Sequence, residues 1–299
     1  MLENKDRLRR TALFVSAQRP AITKDAYIFQ SDSVILDLED AVAENQKDAA
    51  RFSLYHLLTT VDYGNTERMV RINGTDTPHW QEDVRVAVAG GADVIRIPKC
   101  ETAADVQLVE QAVIAAEKEF NRTPKTLLMA ALESPLGVLN AFEVCKSSER
   151  LLGIAISGGD FRKSMGTKWT ASGIDLQAAR GHIILAARAA GVQCHDTVFT
   201  DLSDLEGFTI ETQIMKDMGF DGKSCVNPKQ IQIVHDILRP SEQEIITAER
   251  TVQAIRENAE KGIGIFSLDG QMLDIAFLPG ALRTLRLAKA CGLYKGDLV

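Results

Sequence analysis

Eight short apolar runs alternate with longer helical patterns along most of this 299-residue chain. The runs hold few polar residues, which is typical of strands that are buried on both faces of a parallel sheet. The predicted strands are residues 13–17, 34–38, 69–72, 94–98, 128–132, 152–156, 196–199 and 222–226. A strand and its following helix recur about every 30 residues, the length of one βα unit. Eight such units predict the α/β class and a (β/α)8 TIM barrel.

The barrel is expected to occupy residues 1–240. A doubly wound open sheet is the alternative, but no Gly-x-Gly-x-x-Gly motif follows the first predicted strand. In the remaining residues, 241–299, a capping box at Ser241 and Glu244 begins a helix, Asp269-Gly270 predicts a hairpin turn, and a last helix is predicted at about 277–291. We expect this C-terminal helical extension to act as a lid or an oligomerisation arm.

Charge and cysteine content exclude several classes of protein. The net charge of −7 and the pI near 5.4 argue against a nucleic-acid partner, which would require a basic face. The five cysteines are scattered and show no CxxC spacing, which indicates reduced thiols rather than a zinc site or a disulfide framework. The charged start of the chain lacks the apolar core of a signal peptide, and no run is long enough to span a membrane. We therefore expect a cytoplasmic protein without a membrane partner.

Two carboxylates, Glu133 and Asp160, follow two consecutive predicted strands. The carboxyl ends of the strands form the active-site face of a TIM barrel, so the two acids are expected to converge there. Two carboxylates with glycines nearby suit a hard divalent cation such as Mg²⁺. The alternative is that each acid only caps the helix that follows, where the helix dipole favours a negative charge.

Further charged residues fall at neighbouring strand ends. Asp37 begins an acidic cluster with Glu39 and Asp40, which needs a cation or a basic group to share its charge. Arg71 can hold a substrate carboxylate through two parallel hydrogen bonds, or it can form a salt bridge to that cluster. Lys99 is expected to be an ionic partner of the acids or a substrate contact rather than a Schiff-base lysine.

Other catalytic arrangements are not supported by the sequence. The five histidines do not gather at strand ends, with His195 as the one candidate exception, so a histidine metal site is not expected. There is no Gly-x-Ser-x-Gly elbow of a serine hydrolase. Cys225 is interpreted as a small core residue.

Several motifs in one order resemble the family of the citrate lyase β-subunit, which also contains citramalyl-CoA, malyl-CoA and related acyl-CoA lyases. The resemblance covers nearly the whole chain. It is carried by residues 36–42 (LDLEDAV), 70–73 (VRIN), 90–99 (GGADVIRIPK), 133–137 (ESPLG), 219–228 (GFDGKSCVNP) and 269–274 (DGQMLD).

The resemblance implies a Mg²⁺-dependent barrel that cleaves a carbon–carbon bond in a 3-hydroxyacyl thioester. It makes Glu133 and Asp160 the metal ligands, and Arg71 the residue that holds the substrate carboxylate. It makes Asp274 a lid acid that a neighbouring subunit delivers. Asp37 is also placed among the catalytic residues, and the backbone amides of Gly158 and Gly159 among the substrate contacts together with Lys99 and Arg19.

Two segments depart from the family pattern. Members usually read Phe-Val-Pro-Gly after the first strand, where this chain has residues 14–19, FVSAQR, in the region that is expected to meet the thioester arm. They usually carry Gly-Ala-Glu-Asp before the metal aspartate, where this chain has Ser157-Gly158-Gly159-Asp160. The departures bear on the substrate and its carrier.

The function expected from the sequence is the cleavage of a citryl thioester to oxaloacetate and an acetyl thioester by retro-Claisen/aldol chemistry. The expected partners are a thioester carried by CoA or by an acyl-carrier protein, the citrate lyase α and γ subunits, and further copies of this chain in a trimer or hexamer. The alternatives are a citramalyl-CoA or malyl-CoA lyase that uses free CoA thioesters, and a non-catalytic subunit that binds an acyl-carrier protein.

Overall fold

A closed barrel of eight parallel strands forms the larger part of the protein in a computed structural model, which describes residues 7–123 and 125–299. Each strand pairs with the next along the chain, and the eighth pairs with the first through Thr11–Lys223, Ala12–Ser224 and Leu13–Cys225. The strands are β1 Thr11–Ser16, β2 Ser33–Asp37, β3 Glu67–Arg71, β4 Val94–Ile97, β5 Leu127–Leu132, β6 Leu151–Ile156, β7 Gln193–Asp196 and β8 Gly222–Cys225. The predicted (β/α)8 barrel is confirmed.

Helices connect the strands and continue beyond the barrel. The α-helices are α1 Pro20–Thr23, α2 Lys47–Thr60, α3 Trp80–Gly90, α4 Ala103–Glu119, α5 Pro135–Leu139, α6 Ala141–Lys146, α7 Gly158–Met165, α8 Ile174–Ala190, α9 Leu205–Met218, α10 Lys229–Leu238, α11 Glu242–Glu260 and α12 Leu278–Ala290. Short 3₁₀ helices lie at Ala26–Phe29, Glu44–Gln46 and Ile275–Phe277. None of the described helices combines the length and the apolar character that crossing a bilayer requires.

The barrel interior is filled by apolar side chains that alternate with outward-facing residues along the strands. This packing is what fixes the directions of the strand ends. The central cluster is Ala12, Ile35, Met69, Val94, Leu127, Met129, Leu152 and Ala155, with Phe14 packed against it.

Strand β7 lies three residues earlier than predicted, whereas the other strands lie within two residues of their predicted bounds. The apolar pattern placed the strand at residues 196–199, but the observed strand is Gln193–Asp196. This strand contains polar side chains, and hydrogen bonds offset the cost of burying Asp196, which accepts them from Arg180 and Lys223. A strand of buried, paired polar residues lacks the apolar pattern that the prediction used.

Helix ends follow the local sequence closely. Helix α4 begins with a capping box between Thr102 and Asp105. At the start of α9, Asp204 accepts a hydrogen bond from the Gly207 amide, while the neighbouring Ser203 hydroxyl donates to Asp201.

The chain divides into two compact units after Ile237. In the second unit the predicted capping box at Ser241 and Glu244 begins α11. The predicted hairpin is also present, with strands β9 Phe266–Leu268 and β10 Gln271–Leu273 in antiparallel pairing. Both turn residues, Asp269 and Gly270, have positive φ, as a two-residue turn that matches the strand twist requires. Helices α11 and α12 pack through a core of Ala248, Val252, Ala281, Leu285, Ala288 and Tyr294.

Candidate metal and substrate site

The two acids that the sequence singled out lie at the carboxyl ends of paired strands. Glu133 follows β5 directly, and Asp160 lies in the first turn of α7, which follows β6. Both line one cavity of about 630 Å³, together with Lys99, Glu101 and Lys163. We call it the acidic cavity.

Glu133 carries an uncompensated buried charge. Its side chain is 4% exposed, and its Oε1 accepts a hydrogen bond from Ser157 Oγ at 3.0 Å. Its Oε2 is buried without a hydrogen-bond partner among the described residues. Burial, and then the nearby charges of Glu39 and Asp160, raise the pKa of Glu133 to about 7. Neighbouring carboxylates raise each other's pKa in this way when no cation neutralises them fully.

These residues fit a hard divalent cation. An orphaned carboxylate oxygen beside a second carboxylate supplies the oxygen donors that Mg²⁺ prefers, and a cation would remove the charge imbalance. Among residues 7–123 and 125–299, no group of three or more His, Cys, Asp and Glu side chains is arranged to hold a metal ion. Two carboxylates are nevertheless enough for Mg²⁺, which commonly keeps several waters and takes further ligands from substrate. Asp160 makes no side-chain cap bond, but it lies in the first turn of α7, so the helix dipole also favours its negative charge, as the alternative role expects.

Arg71 is held in a fixed orientation by the acidic cluster. Its Nε and Nη2 each donate to one oxygen of Asp37 at 2.7 Å, and its Nη1 lies 2.9 Å from Glu39 Oε2. Both Asp37 oxygens also accept backbone N–H groups, from Glu39 and Ala41. Asp37, which was predicted to be catalytic, is therefore placed to orient Arg71. The salt-bridge alternative for Arg71 is present in the structure, and its other donor directions remain available to a ligand.

Lys99 forms an ion pair with the same cluster. Its Nζ lies 2.9 Å from Glu39 Oε1, and this carboxylate raises the pKa of the Lys99 amine. Lys99 also has a φ of 48°, a left-handed conformation that is uncommon for a residue with a side chain. The amine is protonated and partly exposed, as expected for an ionic partner and not for a Schiff-base lysine.

A second cavity, of about 270 Å³, adjoins the acidic cavity through Asp160, which lines both. We call it the arginine cavity, because Arg71 and Arg96 line it together with Asp37, Phe14, Gly158 and Gly159. The Gly158 amide donates to Thr197 Oγ1 at 2.8 Å, so it is not free for the substrate carboxylate that we expected it to bind. A Cβ on Gly158 would also lie 2.9 Å from Leu176. Gly159 has open space around it and keeps its predicted role as a candidate.

Arg19 lies beside a third cavity, of about 430 Å³, which shares Phe14, Ala41 and Val226 with the arginine cavity. The three cavities therefore follow one another along the carboxyl ends of the strands. Asp274 belongs to the second unit, where its side chain accepts a hydrogen bond from the Ala276 amide and begins a 3₁₀ helix.

The sequence analysis did not identify Arg96, Ser157 and Thr197 as site residues. Arg96 stands opposite Arg71 in the pairing of β4 with β3 and is 1% exposed. The sequence did contain one indication that Arg96 has a special role: it is a charged residue between Ile95 and Ile97, in a strand buried on both faces. Ser157 and Thr197 carried no comparable signal, because their hydrogen bonds to Glu133 and Gly158 arise only when β6 and β7 lie side by side.

Two other residues lie outside the site. His195 is inside β7, fully buried, with neither ring nitrogen hydrogen bonded to a described residue. It is the next-to-last residue of β7 and so lies near a strand end, as the sequence suggested, but it lines none of the three cavities. Cys225 is buried, which raises the pKa of its thiol to about 12 and agrees with a core residue.

Comparisons with known proteins agree with this architecture. The model of the HpcH/HpaI aldolase/citrate lyase family matches residues 10–228. The citrate lyase subunit beta of Leuconostoc mesenteroides subsp. cremoris is 49% identical over 288 residues, 96% of this chain and 95% of that protein. The Escherichia coli K12 subunit of the same name is 40% identical over 292 residues, 97% of each chain.

A solved structure gives the same result for the fold. CitE from Mycobacterium tuberculosis, in complex with magnesium, acetoacetate and coenzyme A, is 32% identical, with a TM-score of 0.75 over 94% of this chain and 98% of that chain. A barrel with acids converging at the carboxyl ends of its strands defines a class of oxygen-ligand metal barrels. Within that class, this chain belongs to the HpcH/HpaI aldolase/citrate lyase family.

Proposed function

We propose that this protein is a Mg²⁺-dependent carbon–carbon lyase that cleaves a citryl thioester to oxaloacetate and an acetyl thioester. The observation that carries the proposal is the pair Glu133 and Asp160, with its orphaned oxygen, beside a cavity lined by arginines. Relatives named citrate lyase subunit beta, at 40% and 49% identity over nearly the full length, support the reaction and the substrate.

Glu133 and Asp160 would hold Mg²⁺, which when bound would supply Lewis acidity to the hydroxyl and carboxylate oxygens of the substrate. Arg71, fixed by Asp37 and Glu39, binds a substrate carboxylate and orients the bond to be broken. The hydroxyl proton passes to solvent water, and the C–O bond becomes the carbonyl of a 2-oxo acid as the carbon–carbon bond breaks. The electron pair of the broken carbon–carbon bond passes to the thioester, which leaves as its enolate.

Asp274 donates the proton that converts the enolate into the acetyl thioester. We propose that a neighbouring subunit delivers it, because Met272, Ile275 and Phe277 around it are exposed apolar residues that a subunit contact would bury. The proposal includes a homo-oligomer, as a trimer or a hexamer, with residues 241–299 as its arm and lid.

The thioester arm is assigned to the third cavity, where the exposed Arg19 offers a positive charge to an anionic carrier group. The row of three cavities gives an extended substrate one continuous path along the barrel face. CoA and an acyl-carrier protein both present such an arm. Assembly with citrate lyase α and γ subunits is part of the same proposal. The free thiols of Cys100, Cys145, Cys194 and Cys225 support a cytoplasmic location.

The direct test offers the purified protein, with Mg²⁺, citryl-CoA, citramalyl-CoA and malyl-CoA in separate assays and follows the 2-oxo acid that is released. We expect oxaloacetate from citryl-CoA in amounts equal to the acetyl-CoA formed, and no product with Glu133→Ala or after chelation. Release from citramalyl-CoA or malyl-CoA alone would assign the protein to the rival lyases. Absence of product from all three would leave the non-catalytic carrier-binding subunit.

A further inference from the structure

We infer that Arg96 binds a second substrate carboxylate, carried on the CH₂ arm of the hydroxyl-bearing carbon, and that it thereby selects thioesters that yield a dicarboxylic 2-oxo acid. This inference rests on the proposed lyase function and deepens it. The role belongs to a residue that the sequence analysis did not place in the site.

Arg96 is a buried cation without a carboxylate partner. Its Nε has no hydrogen-bond partner among the described residues, and its Nη1 reaches only Met129 Sδ at 3.8 Å. Burial, and then the charge of Arg71, lower the pKa of Arg96 to about 10, so the guanidinium remains charged at neutral pH. Burying an unpaired charge is costly, and an anionic ligand would offset that cost.

The other deeply buried cations of the barrel are all paired. Arg9 bonds to Glu67, Arg180 bonds to Asp196, and Lys223 bonds to both Asp196 and Glu211. The fold therefore supplies a carboxylate to each of these three cations, and the less deeply buried Lys47, which forms no carboxylate ion pair among the described residues, still donates to three oxygens. Arg96 is the exception among these fully buried side chains, and it is the one that lines a cavity at the site.

The surroundings of Arg96 leave its charge available to a ligand. Arg71, its neighbour in the strand pairing, already has Asp37 and Glu39 as partners. Both guanidinium groups lie over the Phe14 ring, at 5.0 Å for Arg71 and 5.3 Å for Arg96. A ring face attracts a cation but accepts no in-plane N–H bond, so the stacking does not satisfy the Nε donor.

The chemistry of the substrates defines what Arg96 would recognise. Citryl and citramalyl thioesters share the hydroxyl, its carboxylate and the thioester. They differ only in the remaining arm, which is CH₂COO⁻ in the first and CH₃ in the second. Glu133 and Asp160 face the shared groups through the acidic cavity, and Arg96 lines the adjoining cavity, where the arm would enter. A site built to bond a polar group discriminates strongly against an analogue that lacks it.

The test compares kcat/KM for citryl-CoA and citramalyl-CoA in Arg96→Met, Arg96→Lys and the parent protein. Arg96→Met keeps the volume but removes the charge, so we expect a loss of about 100-fold on citryl-CoA and less than about 3-fold on citramalyl-CoA. Arg96→Lys should recover part of the loss on citryl-CoA. The matched control is Met129→Leu, which changes the packing beside Arg96 and should alter both substrates by the same factor.

Equal losses on the two substrates in Arg96→Met would overturn the inference, since they would mean a structural role. A second measurement does not depend on turnover or on the folding of the variant. In titration calorimetry of the parent protein with Mg²⁺, oxaloacetate should bind at least about 10-fold more tightly than pyruvate, which lacks the second carboxylate. Equal binding would refute the role of Arg96. If the parent protein cleaves no thioester but still discriminates in binding, the lyase proposal fails and the carboxylate site stands.

Discussion

At the scale of single residues, the site is organised by buried charges that the protein pairs unevenly. Asp37 and Glu39 take up the charge of Arg71, while one oxygen of Glu133 and the Nε of Arg96 stay without partners. An unpaired buried group costs more free energy than a bonded one contributes, so such groups are retained where a ligand completes them. The two unpaired groups are of opposite sign and line adjoining cavities.

Replacement of Arg71 by lysine is predicted to lower kcat/KM. The decrease should correspond to a loss of roughly 2–4 kcal/mol in transition-state stabilisation, because a lysine cannot make two parallel hydrogen bonds as the planar guanidinium does. Asp37→Asn should cost less, about 1–2 kcal/mol, since it weakens the bonds that orient Arg71 without removing the cation. Because both changes act on one interaction, the double variant should lose less than the sum. Steady-state kinetics of the three variants checks this.

The matched control for Arg71 is Arg68, in the same strand. Arg68 makes an equivalent two-pronged contact with Asp93, outside the three cavities of the site. Arg68→Lys should therefore leave kcat/KM nearly unchanged. A near parental kcat/KM in Arg71→Lys, or additive losses in the double variant, would contradict the assignment of Arg71 and Asp37 as one unit.

Residue-level prediction from sequence used position along the strands. Glu133 and Asp160 were expected to face the barrel mouth because each follows a buried strand, and both line the acidic cavity. Arg96 was not found, because its significance lies in what it lacks. Only the structure reveals that, within the described part of the chain, no carboxylate pairs with it, whereas Arg9 and Arg180 have one.

At the scale of elements, β7 shows how burial controls ionisation. His195 is fully buried in this strand, and burial lowers its pKa to about 3 from 6.5. Below pH 6.5 the unfolded chain binds a proton on this residue and the folded chain does not. The contribution of neutral His195 to the free energy of unfolding is therefore fully present above pH 6.5 and is lost as the pH falls toward 3.

The free energy of unfolding is predicted to fall by about 1.4 kcal/mol per pH unit below pH 6.5 through His195 alone. His195→Leu should remove this pH dependence. Between pH 7.5 and pH 5, the free energy of unfolding of the variant should therefore decrease by about 2 kcal/mol less than that of the parent protein. Urea unfolding at both pH values measures the difference. The exposed His182 is the control, and His182→Asn should behave as the parent protein does. A His195→Leu variant with the parent's pH dependence would mean that His195 is protonated in the folded state.

The same strand marks the limit of pattern-based prediction. Strands of apolar residues, such as Leu127–Leu132, were placed within two residues of their observed ends. Gln193–Asp196 was displaced because a buried ionic cluster formed by α8, α9 and β8 makes its polar residues stable. Side chains that come together from four elements leave no periodic signal in any one of them.

At the scale of the whole molecule, the second unit provides material for assembly. Its helices α11 and α12 form a core of their own, and its hairpin region exposes Ile265, Met272 and Ile275. The hairpin was predictable from Asp269-Gly270, because a two-residue turn has a strong local signature. The unit's place in an assembly has no such local signature.

Asp274→Asn is predicted to lower kcat with little change in KM, because the residue acts on the enolate after the substrate is bound. When Asp274→Asn subunits are mixed with Glu133→Ala subunits, which are inactive for a different reason, the mixture should regain activity, since some sites would then hold both intact groups. The measurement is turnover before and after subunit exchange, with each variant alone as the control. Confirmed exchange without any recovery would show that a neighbouring subunit does not deliver Asp274.

The central claim is that Glu133 and Asp160 hold the Mg²⁺ on which the chemistry depends, and titration calorimetry of Mg²⁺ tests it most directly. Glu133→Gln keeps the shape that accepts the Ser157 bond but removes the charge, and Asp160→Asn does the same for the second acid. Hard cations depend on the number and charge of their ligands, so each variant should bind Mg²⁺ roughly 100-fold more weakly or not at all. Glu101→Gln, in the same cavity but bonded to Ser134, should bind as the parent protein does. An unchanged Mg²⁺ affinity in both Glu133→Gln and Asp160→Asn would contradict the account.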